Sequence, residues 1–83
     1  MDAVNDNFQL ERGRKAIDIF VGDRLRTRRV ELALEQGDLA ASIGTSLEQI
    51  RGYERGIERV TPDHLVKFTK LLRVKVTFFF IGA

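Results

Sequence analysis

This chain has no cysteine and no tryptophan, and only one proline and one histidine. Without cysteine there is no disulfide framework, no thiolate metal site and no thiol nucleophile. A lone histidine, His64, cannot build a histidine metal cluster. No apolar run approaches the roughly 20 residues needed to span a bilayer. Met1–Lys15 is polar, acidic early and without an apolar central segment, so it does not read as a signal peptide. The expected compartment is the cytoplasm. No phosphate-binding glycine loop and no evident carboxylate pair accompany these absences, so neither an enzyme nor a cofactor is expected.

What remains is an ordinary globular balance. Apolar residues make up 43% of the 83-residue chain and charged residues 31%, enough for one domain and one core. The net charge of +2 says little, but its distribution says more. Arg24, Arg26, Arg28 and Arg29 crowd one segment; Lys67, Lys70, Arg73 and Lys75 dominate the C-terminal third. These can form a face for a polyanion or stand as solvated charges among scattered acids.

Residues 1–16 read as a polar arm, disordered or partly helical near Phe8–Arg12, and residues 17–83 as the folded domain. Ile17, Phe20, Val21, Leu25 and Leu32 recur near helical spacing. Gly22 interrupts them, so this first helix is expected to begin near Asp18 or only after Gly22. A second helix fits Gln36–Ile43, with Leu39, Ala40 and Ile43 inward and Gly44 as its stop. A third fits residues up to Glu54, capped by Thr45 or Ser46, with Ile50 and Tyr53 inward and Gly56 ending it. Thr61-Pro62-Asp63 is a strong helix start, followed by the apolar face Leu65, Phe68, Leu71, Leu72. The last stretch permits two readings. Val74 and Val76 alternate like a strand, whereas Thr77 can cap a short turn of phenylalanines. The fold class is therefore all-α, a compact bundle of four to five short helices. Ala40, Gly44 and Ile50 sit where two helices must touch, turn and be wedged apart. Tyr53 is read as core and His64 as surface.

From Val21 to Phe80 the chain resembles the Cro/C1-type helix-turn-helix domain of phage repressors and bacterial regulators. The matching residues are Gly22 through Arg29, Gln36, Leu39, Ala40, Ile43 through Ser46, Ile50, Tyr53 through Gly56, Leu65 through Leu72, and Val74. The resemblance implies a lambda-repressor-like bundle, a third helix lying in the major groove of double-stranded DNA, and a dimer on a symmetric site. It places Leu47, Glu48 and Gly52 at positions that reach base edges, with Arg51 beside them. Arg51 is the strongest reader of the set, because a guanidinium pairs with guanine O6 and N7. Gln36, Ser46, Gln49, Arg55 and Arg59 become phosphate-contact candidates, with Gln36 beside helix N–H groups that suit an anion. Arg29 and Glu54 match an ion pair between the first and third helices. Leu47, Glu48 and Gly52 depart from the polar readers the family often carries, which leaves an antitoxin-like or other protein-interaction module as the alternative.

Phe78, Phe79 and Phe80 stand outside this motif. Successive helical residues point about 100° apart, so three in a row cannot all face one core. The triplet is therefore the candidate homodimer interface. No small-molecule ligand and no membrane partner are expected.

Overall fold

The computed structural model describes residues 15–82. Four α-helices, α1 (Ala16–Glu31), α2 (Gln36–Ile43), α3 (Leu47–Glu54) and α4 (Pro62–Leu72), are followed by a 3₁₀ turn, Val76–Phe79. The fold is all-α, and no strand occurs among the described residues. The expected N-terminal arm lies outside them, apart from Lys15 and Ala16, which open α1.

The expected start of α1 is corrected, and the two readings of the C-terminal stretch are resolved. Helix α1 starts at Ala16 and runs unbroken through Gly22. Gly22 is buried, and a Cβ there would meet the carbonyl oxygen of Tyr53 and lie 2.9 Å from that of Glu54. Its missing side chain lets α1 lie directly on the end of α3, and that packing outweighs glycine's poor helix propensity of about 1 kcal/mol. At the other end, the strand-like alternation of Val74 and Val76 loses to a 3₁₀ turn. That turn starts at Val76, one residue before Thr77, with Lys75 at its N-cap and no side-chain cap bond.

Helix ends follow local chemistry. Thr61 Oγ1 accepts from the His64 N–H at 3.2 Å, and Pro62 fills a position where no N–H is needed. Gly44 turns the chain after α2 at φ 74°. After α1 the same left-handed turn falls on Ala33 at φ 59°. There the Leu34 N–H reaches Arg29 O at 3.0 Å and the Ala33 N–H reaches Val30 O at 2.9 Å, closing the helix with its carbonyls satisfied.

Leu25, Leu39, Ile50, Phe68, Leu72 and Phe79 are fully buried, and Tyr53 is 1% exposed. Every element contributes to this one core. Tyr53 meets Phe68 edge-to-face at 6.1 Å. Its hydroxyl shares a 2.7 Å hydrogen bond with His64 Nδ1, so His64 is half-buried against α3 and not the surface residue expected.

Two basic residues of α1, Arg24 and Arg28, reach back to the C-terminal elements. Arg24 Nε donates to Phe78 O at 2.9 Å, with its guanidinium 4.5 Å from the Phe78 ring centre. Arg28 Nε donates to Leu72 O at 2.9 Å. Both bind carbonyls that the ends of short helices leave open, so neither stands as a solvated cation.

Gly37, in the first turn of α2, has no atom within 4 Å of its missing Cβ. Gly37→Ala should therefore raise stability by about 0.4–1 kcal/mol, chiefly by restricting the unfolded chain. Urea unfolding checks this; a lower midpoint would show an unrecognised contact.

Candidate nucleic-acid interface

Helix α3 is presented by the turn before it and a clamp behind it. Ala40 is buried on α2 where a larger side chain would part the helices, and Ile50 fills the angle between them. Ser46 caps α3: its Oγ accepts from the Gln49 N–H at 3.0 Å. Glu48 in the first turn also suits the positive end of the helix dipole.

The clamp centres on Glu54, whose side chain is 3% exposed. Arg29 Nε donates to Oε2 at 2.7 Å and Nη2 donates to Oε1 at 3.1 Å, a two-pronged pair. Gln36 Nε2 donates to Oε1 at 2.9 Å. Arg29 Nη1 donates onward to Leu34 O at 2.9 Å, which ties in the loop before α2. One carboxylate thus joins α1, α2 and α3. The hydrogen bond to Glu54 is the main cause of a raised Arg29 pKa, which burial only partly opposes. The guanidinium therefore stays charged at any pH a folded protein tolerates.

With its inner face locked, α3 turns Leu47, Glu48 and Arg51 outward. Leu47 is 38% exposed. Glu48 and Arg51 make an exposed pair at 3.7 Å, weak enough to exchange for another partner. Gly52 continues the same stripe, but Glu58 from the following loop lies over it. The structure therefore brings the four base-edge candidates onto one side of one helix, with the stem of Glu58 covering Gly52. In the sequence, a glycine inside a short helix is the one signal that points to Glu58.

The phosphate candidates are placed unequally. Arg55 is exposed at the end of α3 and Gln49 is half-buried on its first turn. The Gln36 amide is engaged by Glu54, and the Ser46 hydroxyl by the cap. Arg59 turns toward α1: its Nε donates to Asp18 Oδ1 at 2.8 Å, and that bond raises its pKa.

The phenylalanine triplet divides. Phe79 is fully buried, so it is removed as an interface candidate: no partner can reach it. Phe78 is half-buried beneath Arg24. Phe80 is 42% exposed and lines a shallow groove of about 210 Å³ with Ile17, Val21, Val60 and Leu65. A 3₁₀ turn in place of an α-helix swings the middle ring inward and leaves the last one out.

Among the described residues, no group of three His, Cys, Asp or Glu side chains could hold a metal ion. No described helix is long and apolar enough to cross a membrane.

Comparison with known proteins agrees with this geometry. The family model described as helix-turn-helix matches residues 25–79. An uncharacterised HTH-type transcriptional regulator of Sinorhizobium medicae is 44% identical over 67 residues, covering 81% of this chain and 48% of that protein. An uncharacterised transcriptional regulator from the ATPase CF(0) region of Rhodospirillum rubrum is 44% identical over 64 residues, covering 77% of this chain and 59% of its own length. The chain thus spans about half the length of the curated relatives it matches. Among solved structures, the restriction-modification controller protein C.AhdI of Aeromonas hydrophila superposes with a TM-score of 0.74 at 29% identity, covering 80% of this chain and 100% of the other. These relatives carry the names of regulators, not of enzymes. The helix pair, its small-residue contact and the match across α1 to the 3₁₀ turn have one common explanation: the chain belongs to the Cro/C1-type helix-turn-helix family.

Proposed function

We propose that this chain is a sequence-specific, DNA-binding transcriptional regulator of the cytoplasm, acting as a dimeric repressor with α3 in the major groove. The observation that carries the reading is a helix held rigidly on one side and open on the other. The Arg29–Glu54–Gln36 clamp fixes α3, and its outer stripe presents Leu47, Glu48 and Arg51. A bound helix must lose little freedom on docking, and a pre-locked one has little left to lose. In this reading Leu47 offers apolar contact to a thymine methyl, and Arg51 leaves Glu48 for guanine O6 and N7. Arg55, Gln49, Ser46 and Gln36 hold the phosphate backbone, giving a log–log salt slope of about −0.9 per neutralised phosphate. Exposed Phe80 with half-buried Phe78 supplies apolar surface for a second copy. A dimer then sets two α3 helices about 34 Å apart, matching successive major grooves.

Selection of bound duplexes from a random pool tests this. The parent chain should enrich a two-fold symmetric site. Arg51→Ala should lose one base preference per half-site, a cost of about 1–3 kcal/mol, with the other positions kept. No enrichment at low salt would contradict the proposal.

A second reading, a protein-interaction module, draws on the apolar groove beside Phe80 and on the carboxylate of Glu48, 87% exposed on the probe helix. It predicts sequence-indifferent DNA binding together with a tight protein partner.

A further inference from the structure

Gly52 is an odd residue for the interior of an eight-residue helix, because glycine is the worst helix former after proline. The structure supplies the reason. A Cβ at position 52 would lie 2.6 Å from Glu58 Cγ, 3.5 Å from its Cβ and 3.8 Å from its carboxyl carbon. The stem of Glu58 occupies the space where a side chain at position 52 would stand.

The backbone delivers it there. Gly56 reverses the chain at φ 74°, a conformation that glycine adopts without strain. The N–H groups of Ile57 and Glu58 then both donate to Gly52 O, at 3.0 and 3.1 Å. The loop is thus pinned to the residue whose missing side chain it covers. Glu58 itself is exposed, and its side chain lies over Gly52 on α3.

We propose that Glu58 is a base-reading residue, standing in for the side chain that Gly52 lacks, and that its ligand is the N4 amino group of a cytosine in the major groove. The inference rests on the DNA-binding reading above. A carboxylate is an acceptor only, and cytosine N4 is the major-groove donor that Asp and Glu pair with. Arg51, next to Gly52 on the helix, carries the opposite chemistry and seeks the guanine acceptors. A guanidinium and a carboxylate side by side complement a G·C step. Neighbouring phosphates repel the same carboxylate, so a site without a well-placed cytosine is penalised twice. Glu48 lies one turn earlier on α3 and does not fill the space over Gly52.

The test compares selection from a random duplex pool for the parent chain, Glu58→Ala, Glu58→Gln and Gly52→Ala, with thermal melts to confirm folding. The parent should enrich a cytosine at one position of each half-site. Glu58→Ala should lose that preference, about fivefold or more, while the other positions persist. Glu58→Gln should move it toward adenine, whose N6 and N7 suit an amide. Gly52→Ala should lose the same preference with the carboxylate still in the chain, because the new methyl displaces the Glu58 stem. If the parent enriches a site and Glu58→Ala changes no base within it, or binds all sequences uniformly more tightly, this inference fails and the DNA-binding reading stands. If the parent enriches no site at all, both fall.

Discussion

Replacing Arg29 with alanine should lower the free energy of unfolding by about 3–5 kcal/mol, the usual cost of removing one partner from a buried ion pair. Among the described residues Glu54 would keep only the Gln36 amide as a donor, inside a site where its side chain is 3% exposed. Set against a total of about 5–15 kcal/mol for a typical domain, that loss is large. It also falls on the element that matters most for function, since the same carboxylate joins α1, α2 and α3. Because the folded pKa of Arg29 is raised, the clamp is fully formed below the unfolded value and is lost only as pH rises through the folded one. Both lie beyond the range of ordinary buffers, so alkaline pH should not weaken this arginine's contribution. Urea unfolding of the variant between neutral pH and pH 9 checks both statements. A loss below about 1 kcal/mol would place the pair with exposed ones and remove the clamp from the account.

Gly22→Ala should be nearly as damaging, and it runs against helix propensity. Alanine is the better helix former by about 1 kcal/mol. Here the new methyl would press on the carbonyl oxygens of Tyr53 and Glu54, which are backbone and cannot rotate away. Overpacking typically costs about 1–3 kcal/mol, and rigid obstacles place this case at the upper end. The cost should appear in DNA affinity as well as in the unfolding midpoint, because α1 and α3 must separate. Gly37→Ala is the matched control, the same substitution in a helix with no neighbour to meet. If both variants gain stability, close approach is not the reason for Gly22.

Which of these features can be read from the chain follows from the range of the interactions. Helix α2 and its stop at Gly44 depend on residues within a few positions of each other, as does the Thr61-Pro62 start of α4. Local periodicity and backbone preference are enough for them. Ala40 and Ile50 are legible for a related reason, since the two helices they join are consecutive. The Arg29–Glu54 pair is different: nothing local links the two, and only family resemblance pointed to it. Gly22 reads locally as a helix break, and its true role depends on the backbone of a helix far along the chain. Arg24 and Arg28 read as phosphate contacts or solvated charges until the carbonyls of Phe78 and Leu72 arrive beside them. The phenylalanine triplet was resolved by the pitch of a single turn. The 3₁₀ turn buries Phe79 and leaves Phe80 exposed. The outer stripe of α3 was legible as a set of positions. Its content was not, because Glu58 enters from outside the helix.

On the proposed function, the outer face of α3 is the surface that meets DNA. Titration of the ¹⁵N-labelled chain with the selected duplex, followed by amide chemical shifts, tests it most directly. The largest changes should fall on residues 46–52 and on Glu58, with those around Ile17 and Phe80 little affected by the DNA itself. Changes centred on the groove between Ile17 and Phe80, with residues 46–52 unmoved, would contradict it.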